Sequence, residues 1–222
     1  MKKNALFDEC YYTNNNYASY LERKERYKQL VLELHHEFFP KIGLGNINDE
    51  PILDFGCAVG FIVRSLKDLS YTNIVGYDVS QWAIDYGKRQ FSLEKELTSS
   101  RNKILDKNYK LVLALDVLEH LTQEELDETL LNLKTDFLVV RMPVTAENGK
   151  KYILEVSERD ETHLIRWTKH TWVSKFESYN YIPLVPLQLH NIYDTDGVMC
   201  AIFRHKNAKI PFAIRDKTNE ST

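Results

Sequence analysis

The sequence predicts an α/β domain, a parallel sheet with helices on both faces. Four short apolar runs, at 51–54, 74–78, 110–115 and 136–142, have the length and composition of buried strands. Helical stretches at 61–68, 81–91 and 123–134 lie between them, and this alternation makes the strands parallel. The first run delivers an acidic residue into a tight glycine-rich turn, Pro51-Ile-Leu-Asp-Phe-Gly-Cys-Ala-Val-Gly60, before Phe61 opens a helix. Such a junction puts backbone N–H groups and a positive helix end at the carboxyl edge of the sheet.

Each element has a local justification. Residues 1–16 read as irregular, since Asn14-Asn-Asn16 favours turns. From Tyr17 to Phe39 the pattern is helical, with Tyr27, Leu30, Val31, Leu34 and Phe38 on one side and Glu22, Lys24, Glu25 and Lys28 on the other. Gly43-Leu-Gly45-Asn46 ends it. Ser80 caps the helix at 81–91, and Leu126, Leu130 and Leu133 stripe the next one. The segment 92–109 is polar, without a clear strand, and reads equally well as a surface helix. The piece 144–167 is too long for a simple connection, and loops of that size often serve as lids. Thr168 caps a helix carrying Trp172 and Phe176; Tyr181–Leu189 and Val198–Phe203 then form an antiparallel pair around Tyr193-Asp-Thr-Asp-Gly197.

Composition narrows the function. At 222 residues, with 43% hydrophobic and 27% charged residues, the chain suits one soluble domain. Its net charge of −3 provides no basic field for nucleic acid or anionic membrane. Cys10, Cys57 and Cys200 show neither zinc nor disulfide spacing, which fits a reducing cytoplasm. No signal core or spanning run is visible, so a cytoplasmic protein is expected.

The glycine turn is not a dinucleotide fingerprint. That needs glycine at the first, third and sixth positions, and the sixth here is Phe61. Asp54 reads as a ligand contact in preference to a simple helix-start acid, and Cys57 as a small apolar filler. Asp78 lies 24 residues after Asp54 at the end of the next apolar run, where a carboxylate can accept two hydrogen bonds from a ribose diol.

The alternation Asp54-x-Gly56-x-Ala58-x-Gly60, the run Gly76-Tyr-Asp-Val-Ser-Gln-Trp-Ala-Ile84 and the string Asp116-Val-Leu-Glu-His-Leu121 together resemble class I S-adenosylmethionine-dependent methyltransferases of the small-molecule type. The resemblance covers about residues 6–205. It implies a Rossmann-like, doubly wound seven-stranded sheet, mostly parallel with an antiparallel C-terminal hairpin. It divides the chain into an N-terminal cap segment and helix (1–40), a methyltransferase core (41–206) and a tail (207–222).

The same resemblance implies the site. Asp54 sits by the methionine amino group or orders the turn, with Gly56 and Gly60 giving backbone freedom and the N–H groups around Cys57 and Ala58 facing the ligand. Asp78 takes the ribose, Val79 lies against adenine, and the Leu97 N–H of Glu96-Leu97-Thr98 pairs with the ring. Asp116 and Val117 border the methionine part and the transferring methyl, and Tyr17 reaches the methionine carboxylate. His120 and His163 are the candidate catalytic bases, His163 having an alternative as a backbone-bonded loop residue. Arg141 and Arg166 read as solvated charges unless they hold an anionic group, and Trp167 and Trp172 as pocket walls or packing.

Glu119, His120 and His163 also resemble the metal ligands of ubiquinone-pathway O-methyltransferases and of enzymes that 2′-O-methylate small-RNA 3′ ends. Metal-free methyltransferases carry the same pattern, and Asp116 replaces a glutamate of those sites, so a divalent metal is not favoured. The expected activity is direct transfer of methyl from S-adenosylmethionine to an O or N atom of a small molecule such as a sugar or secondary metabolite, leaving S-adenosylhomocysteine. The competing readings are a metal-assisted RNA 3′-end 2′-O-methyltransferase and a non-catalytic S-adenosylmethionine-binding protein or partner subunit. The expected partners are a small-molecule acceptor, with neither nucleic acid nor membrane, in a monomer or homodimer.

Overall fold

The computed structural model describes residues 6–14, 17–44, 49–105, 107–186 and 196–209. In chain order the elements are α1 (Glu9–Thr13), α2 (Lys24–Glu33), β1 (Ile52–Phe55), α3 (Phe61–Asp68), β2 (Ile74–Tyr77), α4 (Gln81–Phe91), β3 (Leu97–Thr98), α5 (Asn102–Leu105), β4 (Asn108–Leu115), α6 (Gln123–Asn132), β5 (Lys134–Pro143), α7 (Glu155–Glu158), α8 (Lys169–Ser178), β6 (Tyr181–Pro186) and β7 (Val198–His205). The sheet has seven strands in the order β3-β2-β1-β4-β5-β7-β6. The first five are parallel, whereas β7 runs antiparallel to both β5 and β6. The Rossmann-like sheet with its C-terminal hairpin is therefore as expected.

Strand periodicity divides the apolar residues between two faces. Ile52, Leu111, Leu113 and Val139 join Leu30, Leu34, Val63 and Leu66 on one side. Leu53, Val112, Leu138 and Val140 meet Leu126, Leu130, Trp172 and Phe176 on the other. The caps act as read: Ser80 Oγ accepts from the Ala83 N–H, and Thr168 from Thr171. Thr122 and Glu125 form a reciprocal capping box at α6.

Several local expectations change. The helix expected from Tyr17 to Phe39 is segmented. A short 3₁₀ turn at Tyr20–Glu22 precedes α2, a widened π turn at Leu34–Phe38 follows, and a second 3₁₀ turn holds Phe39–Ile42. Pro40 supplies no N–H there, so regular pairing stops; Gly43, at φ +81°, ends the run. Leu30, Val31, Leu34 and Phe38 are nonetheless buried as the periodicity requires. Residues expected to be irregular contain α1, because the Asp8 side chain accepts from the Tyr11 N–H. The polar segment 92–109 holds β3, a two-residue edge strand too short to leave a periodic signal, as well as α5. The expected hairpin turn lies largely outside the described residues. No helix among the described residues is long and apolar enough to cross a membrane.

α4 crosses close to the turn after β1, and Gly87 permits it. A Cβ at Gly87 would sit 2.2 Å from the Val59 carbonyl oxygen and 2.7 Å from Leu97 Cδ1. In an exposed helix Gly→Ala stabilises by about 1 kcal/mol. Gly87→Ala should do the reverse, lowering the urea midpoint; an unchanged or higher midpoint would show that α4 does not need this approach.

Candidate functional site

In open α/β sheets, ligands bind outside the carboxyl ends of the strands where strand order reverses. Here that point lies between β1 and β4, since β2 and β3 extend to one side and β5 to the other. A cavity of about 560 Å³ opens there, lined by Asp54, Gly56, Cys57, Ala58, Asp78, Val79, Asp116, Val117, Glu119, His120, Arg141, Asp160 and His163, with Phe7, Tyr11, Tyr12 and Tyr17 from the N-terminal segment.

The turn after β1 is tied to the end of β2. The N–H groups of Gly56 and Cys57 both donate to the Tyr77 carbonyl, at 2.8 and 2.9 Å. Ala58 N–H donates to Asp78 Oδ2 and Ser80 N–H to Asp78 Oδ1, each at 2.8 Å. Gly60 N–H donates to the Cys57 carbonyl at 2.8 Å. The expectation that N–H groups around Cys57 and Ala58 face a ligand is thus corrected, because they are engaged within the chain. The glycines serve packing as well as conformation. Gly56 has φ +82°, and a Cβ on it would lie 2.4 Å from Val117 Cγ2. Gly60, at φ +83°, is overlaid by Leu93 and Leu97 and is not part of the cavity wall.

At the ends of β1, β2 and β4, three carboxyl groups face the cavity in different states. Asp54 is 2% exposed, and its Oδ2 has no hydrogen-bond partner among the described residues. Burial, reinforced by the Asp78 charge, pushes its pKa up to about 8. Burial also raises Asp78 to about 6, opposed by the N–H groups of Ser80 and Ala58. Asp116, at φ +54°, pairs with the Arg141 guanidinium. Arg141 is 8% exposed, so it is not the solvated charge its sequence position suggests.

Across the cavity, Glu119 is fully buried, with both carboxyl oxygens lacking hydrogen-bond partners among the described residues. Burial and then the Asp116 charge raise its pKa well above the ordinary range. His163 Nδ1 lies 2.9 Å from the Ser157 carbonyl, which can only accept, so Nδ1 carries the proton and Nε2 the lone pair. That Nε2 is 3.9 Å from Glu119 Oε1 and 3.6 Å from Asp160 Oδ2. Burial lowers the His163 pKa and favours the neutral ring, although Asp160 opposes the shift. The His120 and His163 rings meet edge to face, with centroids 4.6 Å apart.

The structure therefore brings together Asp54, Gly56, Cys57, Ala58, Asp78, Val79, Asp116, Val117, His120 and His163 on one cavity. It does not bring Leu97 there. This side chain is 3% exposed beneath Gly60, Gly76 and Gly87, and its N–H donates to the Leu93 carbonyl at 3.1 Å. Tyr17 lines the cavity, but its hydroxyl donates to Asp160 Oδ2 at 3.2 Å instead of being held out for a ligand. Arg166 pairs with Glu158 at 2.6 Å, and Trp167 packs on the fully buried Trp172. Sequence reasoning reads 158–162 only as a charged loop able to face the site and gives Asp160 and Thr162 no role of their own. Their Asp-x-Thr spacing signals a local Asx turn, realised as Thr162 N–H to Asp160 Oδ1 at 2.9 Å, but not the burial that makes it consequential.

Residues 20–188, most of the chain, match the family described as a methyltransferase domain. The chain belongs to the class I S-adenosylmethionine-dependent methyltransferases. No curated protein matches the sequence. Among solved structures, the methyltransferase domain of bacterial CtHen1 is 22% identical, with 83% of this chain and 99% of that one covered at a TM-score of 0.56. A SAM-dependent methyltransferase from Archaeoglobus fulgidus is 16% identical, covering 83% of this chain and 98% of that one at a TM-score of 0.57. Magnesium protoporphyrin IX methyltransferase from Synechocystis PCC 6803, with bound SAM, is 14% identical, covering 86% and 82% at a TM-score of 0.55. At these identities the structures share the methyltransferase fold. S-adenosylmethionine is the cofactor.

The Asp54 shift has a sign that stability can report. Its folded pKa, about 8, lies above an unfolded value of ~3.9. Between those values the folded methyltransferase retains a proton that the unfolded chain has released, so stability falls as pH rises. Asp78 adds a slope of the same sign that ends near pH 6. The melting temperature of ligand-free Asp54→Asn, relative to wild type, should therefore climb between pH 5 and pH 8.5. Parallel pH profiles for the two proteins would show that Asp54 is not buried as a costly charge.

Proposed function

We propose that this cavity holds S-adenosylmethionine and delivers its methyl group to an O or N atom of a small molecule. The observation that carries the reading is the buried Asp54 oxygen without a hydrogen-bond partner among the described residues, beside Asp78 at the sheet's switch point. In this reading Asp54 receives the methionine ammonium, which restores a partner to a desolvated carboxylate. Asp78 receives the ribose: each oxygen already takes one backbone N–H and retains a second lone pair. Val79 and Val117 give apolar contact, and the Asp116–Arg141 pair closes the methionine end without net charge.

S-adenosylmethionine supplies an electrophilic sulfonium methyl, so no covalent enzyme intermediate is required. The protein's own contribution is alignment, exclusion of water and removal of a proton. His163 suits the last task, since its Nε2 carries the lone pair and Ser157 fixes the ring. The N-terminal aromatic residues shield the reacting atoms from water.

A second reading is favoured by one observation. Ligand atoms of Glu119, His120 and His163 all lie within 4.8 Å of one another. Carboxylate and imidazole suit a divalent cation, which would lower the pKa of a hydroxyl acceptor. These residues fit such an ion, and the uncompensated Glu119 carboxyl would gain a partner from it. That arrangement would accord with 2′-O-methylation of an RNA end, although the net charge of −3 favours a small acceptor.

Three measurements test these readings, and the third separates them. Asp54→Ala should weaken S-adenosylhomocysteine binding by calorimetry at least ~10-fold, the cost of one charged hydrogen bond. Undiminished affinity would remove Asp54 from the site. His163→Ala should slow methyl labelling of a small-metabolite extract by ~10²–10⁴-fold, the usual worth of a general base, with cofactor affinity unchanged. Activity abolished by a chelator and restored by Mg²⁺, Mn²⁺ or Zn²⁺ would instead establish the metal reading.

A further inference from the structure

We infer that Asp160 and Thr162 form a positioning relay that sets the tautomer of His120 and links it to the closed N-terminal segment. The inference rests on the reading above, in which the cavity that His120 lines holds the cofactor. It follows from counting protons. Thr162 Oγ1 lies 2.5 Å from Asp160 Oδ1 and 2.8 Å from His120 Nδ1. A threonine hydroxyl has one proton, and a carboxylate can only accept. The hydroxyl therefore donates to Asp160 and accepts from His120. His120 must carry a proton on Nδ1, which in the neutral ring leaves the lone pair at Nε2.

The carboxylate is held in that accepting role from several sides. Asp160 is 7% exposed. Its Oδ1 also accepts the Thr162 N–H at 2.9 Å, and its Oδ2 accepts the hydroxyls of Tyr11 and Tyr17, each at 3.2 Å. The two tyrosines come from the segment that roofs the cavity, 149 and 143 residues away in sequence. Phe7, from the same segment, packs edge-on against the His120 ring at 5.6 Å. Closure of the roof and orientation of the imidazole thus share one buried carboxylate. Asp160 and Thr162 act through His120 and are positioning residues.

The test reads the tautomer directly, using the full chain with ¹⁵N-labelled histidine and long-range ¹H–¹⁵N correlation. Wild-type His120 should show the Nδ1-protonated pattern. Thr162→Val, which removes the acceptor, should convert it partly or wholly to the Nε2-protonated pattern, and Thr162→Ser should restore it. Tyr11→Phe with Tyr17→Phe should raise hydrogen exchange across residues 6–14 at least ~10-fold, a roof opened by loss of two hydrogen bonds. An Nε2-protonated His120 in wild type, or a Thr162→Val spectrum identical to wild type in a folded protein, would overturn the relay. If Thr162→Val does not fold, the wild-type and Thr162→Ser spectra decide. S-adenosylhomocysteine affinity is measured in parallel: its absence in wild type, with the expected tautomer present, would sink the functional reading and leave the relay standing.

Discussion

The end of β2 grips the turn after β1, and the site is built on that grip. The Tyr77 carbonyl accepts from two successive N–H groups of the turn, and the Asp78 carboxylate takes Ala58 on one oxygen and Ser80 on the other. Two adjacent parallel strands are thereby fixed at their carboxyl ends, in the register that sets Asp54 beside Gly76. Gly56 completes the arrangement by leaving room for Val117 to come in from beyond β4. Three consecutive strands of the sheet, β2, β1 and β4, therefore converge their acidic residues on one crevice. The cost is a set of buried carboxyls whose pKa values are driven up by desolvation.

The cavity resolves these costs unequally. Asp78 is compensated by backbone N–H groups, and Asp116 by Arg141. Asp160 gathers hydroxyls from Tyr11, Tyr17 and Thr162. Asp54 and Glu119 retain buried oxygens without hydrogen-bond partners among the described residues. These two groups stand where a polar ligand would relieve the most desolvation, which is why the functional readings converge on them. The roof has a different origin. Tyr12 stacks on Trp82 at 5.5 Å, and the Ser80 hydroxyl donates to the Phe7 carbonyl, so the N-terminal segment is anchored to the start of α4.

Legibility tracked the range of the interactions involved. The strands and helices of the parallel half were readable because burial on both sheet faces leaves continuous apolar runs, and helices leave a 3.6-residue stripe. β3 escaped notice because its two residues, Leu97 and Thr98, are too few for any period. The stretch from Tyr17 to Phe39 reads as one continuous helix because its apolar side chains keep helical spacing while the backbone hydrogen bonds change partner. Leu97 was misplaced for a related reason: a leucine N–H near a strand end looks available until its acceptor, the Leu93 carbonyl, is seen.

By itself, the sequence determined the family, the sheet's parallel half and the acids Asp54, Asp78 and Asp116 at its carboxyl edge, because those features repeat within short windows of chain. Only the tertiary structure decided which backbone donors are already occupied, that Arg141 is buried against Asp116, and that Asp160 meets tyrosines from the opposite end of the sequence. Hydrogen-bond satisfaction and desolvation depend on neighbours across the whole chain. Beyond helix caps and short turns, no local pattern encodes them.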